Sequence, residues 1–340
     1  MSDAPLDPIS HEPSQPHEAS PVLFGPHGLR AGWSFLVALA IFMTLVWGFH
    51  SILRATHLVT PHAMEHTPGP LPLFLSEFAV FLAIAITTVV MAKIERRPIT
   101  VYGLGGPHKL PRLVLGAIVG LLAISLLVFV LLKSGLLVID QRLLQGAEAI
   151  HYALIWIPGF LAIGFFEEYL FRGFFQYTLA RGFSGLARFL PGSPDPHATG
   201  FWLAALLVSF GFGAVHGSNP GESPAGLVCA GFASLLFCFS LWRTGSLWWA
   251  IGMHAAWDYG QSFLFGVADS GTFFSHRLLE THPVGAPLLS GGATGPEGSL
   301  YCIPVLILVA AVIHFTQPPT AAGYSAQMPT ALPESPSTLS

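Results

Sequence analysis

The stretch Gly164-Phe-Phe-Glu-Glu-Tyr-Leu-Phe-Arg-Gly173 places two adjacent glutamates and an arginine inside an otherwise apolar segment. The chain carries no charge between residues 152 and 166, and it is apolar again for several residues after Gly173. A single charge near the centre of a bilayer costs about 2.5–3.5 kcal/mol on insertion scales. Because helix formation does not require that cost, Glu167, Glu168 and Arg172 predict a functional site.

The composition indicates an integral membrane protein. Of the 340 residues, 52% are hydrophobic and only 9% are charged, whereas about 25% are charged in soluble proteins. No basic stripe is present, and this argues against a nucleic-acid partner. The three cysteines lie in apolar runs without the spacing of metal ligands, so we interpret them as small buried residues.

The hydropathy pattern predicts an all-α, polytopic membrane protein with about eight transmembrane helices. We expect a mixed connector at 133–150 and a long loop rich in Gly and Pro at 267–299. Pro158 suits an early kink or the first turn of the fourth span. The predicted spans lie at roughly 32–53, 71–92, 113–132, 157–181, 201–215, 225–241, 246–265 and 300–315.

The distribution of positive charge predicts the orientation of the chain. With the N-terminus inside, the inner segments hold ten Lys and Arg residues and the outer segments hold four. Omitting Arg172, which we expect within the membrane, leaves nine against four. The positive-inside rule therefore predicts that both termini are cytoplasmic. We expect a multi-pass protein of a bacterial plasma membrane.

Spacing divides the three charges of the opening stretch. Residues four apart share a face of a helix, so Glu168 and Arg172 can form an ion pair. Glu167 lies five residues before Arg172 and points elsewhere, which leaves its carboxylate free for chemistry. The alternative, in which both glutamates and the arginine form one structural cluster, stays open at this point.

Partners for Glu167 occur in two later spans. His216 ends the fifth span, and His254 and Asp258, also four apart, share a face of the seventh. A carboxylate with two histidines is a ligand set of catalytic zinc sites, which predicts a metal held by Glu167, His216 and His254. The same residues could instead activate water without a metal. Both schemes place a buried site between the fourth, fifth and seventh helices.

These motifs resemble those of the CPBP family of intramembrane proteases, which includes the CAAX prenyl endopeptidases. The motif Glu-Glu-x-x-x-Arg matches Glu167 to Arg172, Phe-x-x-x-His matches Phe212 and His216, and His-x-x-x-Asn or Asp matches His254 and Asp258. The resemblance covers about residues 150–270, and all three motifs occur in order on apolar spans. The first three spans and the eighth match only as generic hydrophobic helices.

The resemblance implies hydrolysis of a peptide bond inside the membrane. Glu167 would be the general base, Glu168 and Arg172 would support the helix and tune its charge, and His216 would orient the water, directly or through zinc. His254 would stabilise the oxyanion or bind the metal. Asp258 stands where prenyl endopeptidases have Asn. Because an ionised aspartate cannot donate a hydrogen bond, Asp258 suits the orientation of His254 or metal binding better than an oxyanion hole.

The predicted span ends leave one geometric conflict. They place His216 near the outer end of its helix and Glu167 near the middle of the bilayer. At 1.5 Å per residue, the two side chains would differ in depth by about 10 Å. A hydrolytic site requires that this difference disappear in the folded protein.

Two other functions remain open on the sequence. One is a non-catalytic membrane partner or a protein of the bacteriocin-immunity type. The other is a proton- or metal-linked transporter, although no internal repeat is visible. On the leading hypothesis, the partners are the bilayer and a peptide or protein substrate at the membrane, while the oligomeric state is open.

The predicted organisation is a disordered tail (1–29), three helices (30–149), a CPBP-like catalytic core (150–270), a loop with the last helix (271–316) and a second disordered tail (317–340).

Overall fold

The computed structural model describes residues 22–25, 28–60, 67–189, 195–317 and 319, which are mostly helical. Two small antiparallel sheets pair β1 (Phe24–Gly25) with β2 (Gly28–Leu29), and β3 (Leu137–Arg142) with β4 (Leu279–Pro283). The helices are α1 (Ala31–Ala55), α2 (Pro70–Ile94), α3 (Lys109–Lys133), α4 (Gly146–Glu167), α5 (Gln176–Ala187), α6 (Pro196–His216), α7 (Pro224–Thr244), α8 (Trp248–Tyr259), α9 (Pro287–Ser290) and α10 (Cys302–Thr316). Short 3₁₀ turns lie at Ile99–Tyr102, Gly292–Thr294 and Pro296–Gly298, and π-helical segments lie at Glu168–Phe175 and Gly260–Phe265.

The helical membrane architecture is confirmed. Six helical segments in the described part of the chain are long and apolar enough to cross a membrane: α1, α2, α3, the continuous run Gly146–Ala187, α6 and α7. The predicted seventh and eighth spans correspond to α8 with its π-helical extension and to α10, which are shorter. Helices satisfy their backbone hydrogen bonds internally, as the hydrocarbon interior requires. The chain is therefore an integral, multi-pass membrane protein.

The fourth span is longer than its predicted range of 157–181. It begins at Gly146 and continues through α4, the π-helical segment Glu168–Phe175 and α5 to Ala187, over 42 residues. A helix of that length extends about 60 Å, roughly twice the hydrocarbon thickness of a bilayer. Pro158 accordingly lies inside α4 and not in a first turn.

The segment 164–173 changes from α-helix to π-helix at Glu168. The helix is α-helical up to Glu167 and π-helical from Glu168 to Phe175, and π-helical turns occur frequently at functional sites. Glycines allow close approach on both sides of this change. A Cβ at Gly164 would lie 2.9 Å from the carbonyl oxygen of Ile251 in α8, and a Cβ at Gly173 would lie 2.8 Å from that of Tyr102.

Glycines also bring α3 and α8 into backbone contact. A Cβ added at Gly116 would lie 2.1 Å from the carbonyl oxygen of Trp249, and one at Gly120 would lie 2.2 Å from that of Met253. Reciprocally, a Cβ at Gly252 would lie 2.0 Å from the carbonyl oxygen of Leu113. Small residues at such spacing let membrane helices pack closely. This contact fixes the position of α8, which carries the third motif.

The predicted depth conflict between Glu167 and His216 is absent. Helices α5 and α6 pack against each other in opposite directions, and a Cβ at Gly200 would lie 2.2 Å from the Ser184 hydroxyl. The number of residues from Ser184 back to Glu168 equals the number from Gly200 forward to His216. The two motifs therefore reach nearly the same depth. The error came from ending the fourth span before Ala187 and starting the fifth after Pro196.

The predicted connector 133–150 and the predicted loop 267–299 each contain a short β-strand that the all-α prediction missed. Strand β3 lies within the predicted connector 133–150 and pairs with β4 from the predicted loop 267–299, with Leu137 opposite Pro283. Gln317, the first residue of the predicted C-terminal tail, accepts a hydrogen bond from Ser240 at 2.8 Å. The predictions of disorder for residues 1–21 and 320–340 lie outside the described residues.

Candidate active site

Glu168 and Arg172 form the ion pair that their spacing predicts. The Glu168 Oε1 and Arg172 Nη1 atoms are 3.1 Å apart, and both side chains have no exposed surface. Removing two charges from water is costly, and a buried pair is stable only when both partners are present. These two residues therefore support each other inside the helical bundle, away from solvent.

Aromatic rings surround the rest of the Arg172 guanidinium group. Its Cζ atom lies 4.0 Å from the centroid of Phe212 and 5.2 Å from that of Phe237. No aligned hydrogen bond from its buried nitrogens occurs within the described part of the chain. Cation–π attraction in a desolvated site compensates for that lack. We name Glu168, Arg172, Phe212 and Phe237 the buried charge cluster.

His254 connects the buried charge cluster to Glu167. Its Nδ1 atom donates to Glu168 Oε1 at 2.8 Å, while its Nε2 atom faces Glu167 Oε2 and Asp258 Oδ2, each at 3.6 Å. Its ring also stacks on Phe237, with centroids 5.4 Å apart. We expected Asp258 to orient His254 or to bind a metal. The hydrogen bond that orients the His254 ring is made with Glu168, because Nδ1 of His254 faces the segment 164–173.

His216 is held by its own motif. Its Nδ1 atom donates to the carbonyl oxygen of Phe212 at 2.7 Å, and the two rings lie 4.6 Å apart. Phe212 therefore anchors His216 and covers Arg172 at the same time. With Nδ1 occupied as a donor, the Nε2 atom of a neutral ring is free to accept a hydrogen bond.

The structure brings Glu167, His216, His254 and Asp258 together around one cavity of about 420 Å³. Glu168 and Arg172 lie behind this cavity and do not line it. The Glu167 side chain is 17% exposed, and its buried Oε2 atom has no hydrogen-bond partner among the described residues. The free carboxylate predicted from spacing thus faces the cavity.

Three carboxyl groups of the cavity were not predicted as site residues. Glu77 comes from α2, and Asp269 and Glu297 come from the segment between α8 and α10. Glu77 gave a signal in the sequence, since it is an ionisable residue inside a predicted span. Asp269 and Glu297 gave none, because a loop rich in glycine and proline does not reveal which side chains fold back over a cavity.

Burial alters the ionisation of Asp269 in the cavity lining and of Glu222 beside it. It raises the pKa of Asp269 well above its ordinary value, and the neighbouring Asp258 and Glu297 carboxyls raise it further. Burial also raises the pKa of Glu222, in the turn between α6 and α7. This side of the cavity is therefore rich in carboxyl groups that resist ionisation together.

The three predicted zinc ligands do not form a metal-binding group in this arrangement. Among the described residues, no three His, Cys, Asp or Glu side chains are grouped so as to hold a metal ion. Glu167 and His254 approach each other, and the Nδ1 bonds of His254 to Glu168 and of His216 to a backbone carbonyl leave Nε2 of each ring free to bind a ligand. Zinc binding by Glu167, His216 and His254 stays a prediction from the sequence.

A second, smaller pocket is also lined by Glu167 and His216. A groove of about 280 Å³ contacts Glu167 and His216, and its other lining is apolar, with residues from α1, α2, α4, α6 and the π-helical segment. Phe42 and Val80 belong to this lining. We name it the apolar groove, in contrast to the polar cavity.

The fold and site together define a multi-pass helical membrane protein with a cavity lined by glutamate, histidine and aspartate. Residues 149–260, about a third of the chain, match the family model described as type II CAAX prenyl endopeptidase Rce1-like. The match confirms, over this segment, the resemblance of the three motifs to those of CAAX-type intramembrane proteases. Comparisons with curated proteins and with solved structures each gave no match.

Proposed function

We propose that the protein is an intramembrane endopeptidase in which Glu167 activates the water that attacks a peptide bond. The observation that carries this proposal is the buried Oε2 atom of Glu167, which accepts no hydrogen bond from the described residues and lies at a cavity that His216 and His254 also line. A general base must lie within reach of the water it deprotonates. The water-accessible cavity provides space for that water and for one peptide bond.

Side chains of this protein perform each step of the proposed reaction. Glu167 accepts a proton from water as the water oxygen bonds to the carbonyl carbon, and Nε2 of His216 accepts a hydrogen bond that orients this water. The doubly protonated form of His254 donates from Nε2 to the oxyanion, with Glu168 and Asp258 balancing its charge. Glu167 then gives its proton to the amide nitrogen as the C–N bond breaks.

Replacing Glu167 tests the proposal. With internally quenched peptides in detergent micelles, we expect Glu167→Gln and Glu167→Ala to lower the cleavage rate by about 10²–10⁴-fold, the usual contribution of a general base. Glu148→Gln is the matched control, because Glu148 lies exposed in the first turn of the same helix. Unchanged cleavage by both Glu167 variants would remove this residue from catalysis. Metal analysis of the purified protein tests the separate prediction of zinc.

A further inference from the structure

Phe237 contacts two ionisable side chains of the site, although it belongs to none of the three motifs. It comes from α7, its side chain is buried, and its ring forms part of the cavity wall. The ring stacks on the His254 imidazole at an interplanar angle of 19°. The Arg172 guanidinium carbon lies 5.2 Å from the centroid of the same ring. One aromatic side chain therefore contacts both His254 and the ion-pair partner of Glu168.

The hydrogen bonds of His254 do not fix the plane of its ring by themselves. Nδ1 is bonded to Glu168 at 2.8 Å, but Nε2 lies 3.6 Å from the nearest oxygens of Glu167 and Asp258, which is too far for a hydrogen bond. The torsion that rotates a histidine ring has broad minima. A hydrogen bond at one nitrogen therefore leaves the ring free to pivot, and a second restraint is needed to direct Nε2 into the cavity.

Phe237 supplies this second restraint through the face of the imidazole ring. Stacked aromatic pairs are favourable at centroid separations of about 4.5–7 Å, and Phe237 and His254 are 5.4 Å apart. Phe212 approaches the same imidazole with its ring nearly perpendicular, at 6.2 Å and 74°. Because a contact with the ring face occupies neither nitrogen, it holds the plane and leaves Nε2 available to a substrate.

Arg172 couples the position of Phe237 to the buried ion pair. The face of an aromatic ring carries partial negative charge and attracts a cation. Glu168 is bonded to both Arg172 and His254, and Phe237 contacts the same two side chains. These four residues form a closed circuit of contacts. A change at Phe237 would therefore be transmitted to His254 directly and also through Arg172 and Glu168.

We propose that Phe237 is a positioning residue that sets the plane of His254, so that Nε2 points to the place where the oxyanion forms. This proposal rests on the proposed proteolytic function and adds to that site a residue of α7, a helix that carries none of the three motifs. Phe237 acts through His254 and does not touch the reacting atoms. An aliphatic side chain would fill part of its space but would not hold the imidazole plane.

Replacing Phe237 by aliphatic and by aromatic residues tests this role in the peptide-cleavage assay. We expect Phe237→Leu to lower kcat per folded molecule by about 10–100-fold and to change KM by less than about threefold, because a misplaced group weakens the transition state most. We expect Phe237→Tyr or Phe237→Trp to restore kcat to within about threefold of the wild type. An unchanged kcat in Phe237→Leu, or the same loss in all three variants, would overturn the proposal.

Phe201→Leu is the matched control for lost aromatic packing. The Phe201 side chain in α6 is fully buried, its ring contacts Trp202 and Trp242, and it does not line the cavity. A purely structural role of Phe237 predicts similar kcat values per folded molecule for the two leucine variants. We expect Phe201→Leu to stay within about twofold of the wild type. A loss as large as that of Phe237→Leu would contradict the positioning role.

Nuclear magnetic resonance of protein labelled with isotopically enriched histidine separates this proposal from the proteolytic one. The Nδ1–H proton of His254, bonded to Glu168, should give a low-field signal that is absent from His254→Gln. We expect Phe237→Leu to broaden or remove this signal, and Phe237→Tyr to keep it, without any substrate. If no peptide is cleaved but the signal follows this pattern, proteolysis fails and the positioning role stands. If the wild type cleaves peptides, and Phe237→Leu leaves both the signal and kcat unchanged, proteolysis stands and the positioning role fails.

Discussion

Glu167 and Glu168 are neighbours in the sequence but belong to two different regions of the molecule. Glu168 has no exposed surface and is bound to Arg172 and His254. Glu167 is 17% exposed and faces the cavity, and its Oε2 atom accepts no hydrogen bond from the described residues. In the buried charge cluster, each ion stabilises another. In the cavity lining, carboxyl groups lie side by side with few counter-charges. We infer that the cluster maintains the structure and that the lining carries the chemistry.

Breaking the buried charge cluster should give the largest effect on stability. Arg172→Met removes the buried cation that is paired with Glu168, and we expect the free energy of unfolding to decrease by about 3–5 kcal/mol. The double variant Glu168→Gln/Arg172→Met should recover much of this loss, because neither member of the ion pair remains charged. It should still cleave poorly, since His254 loses its carboxylate partner. Thermal unfolding in detergent and peptide cleavage measure the two effects separately.

The expected results of these variants also separate the two regions. Glu167→Gln should change cleavage and leave the unfolding temperature nearly unchanged. If Glu167→Gln destabilised the protein as much as Arg172→Met, the division between support and chemistry would be wrong.

An intermediate effect is expected where α3 holds α8 in place. Gly120→Ala would put a methyl group 2.2 Å from the carbonyl oxygen of Met253, so the helices must separate. We expect a loss of about 1–3 kcal/mol in the free energy of unfolding, together with reduced cleavage because His254 moves. Gly48→Ala in α1 is the control, since its Cβ would meet nothing within 4 Å. Equal stability of the two variants would show that the α3–α8 contact is not close in solution.

The smallest expected effect concerns Asp269 in the cavity lining. Burial raises its pKa in the folded protein above the value in the unfolded chain, so folding favours the protonated form. Its contribution to stability is therefore fully present below the ordinary aspartate pKa of about 3.9 and is lost as the pH rises through the raised value. Asp269→Asn should flatten this decline in a series of unfolding measurements at different pH. The same pH slope in both proteins would contradict the assignment.

The sequence predicted those features that depend on local spacing or on composition. The apolar runs gave the helical membrane fold, the four-residue spacing gave the Glu168–Arg172 pair, and three motifs gave the residues that meet at the site. The partner of His254 Nδ1 could not be predicted, because it depends on the rotation of α8 against α4. The predicted depth of His216 relative to Glu167 was also wrong, since hydropathy does not show where a helix continues beyond the bilayer.

The cavity lining was the least predictable part of the molecule. Asp269 and Glu297 lie in a segment whose glycines and prolines indicate only irregular backbone, and their positions depend on contacts with Trp257, Ser262 and Ser270. The pairing of β3 with β4 was invisible for a similar reason, because the strands are short and far apart in the chain. The Gly116-x-x-x-Gly120 pattern, in contrast, was present in the sequence and could have indicated the α3–α8 contact.

The apolar groove has a consequence for how molecules reach Glu167. This residue and His216 border the polar cavity on one side and a hydrocarbon-like surface on the other. The carboxylate thus lies between a cavity that contains ionisable side chains and a groove whose remaining lining is apolar. If Glu167 activates water as proposed, a substrate held in the lipid would approach this carboxylate along the apolar groove by diffusion in two dimensions, while water would reach it from the polar cavity.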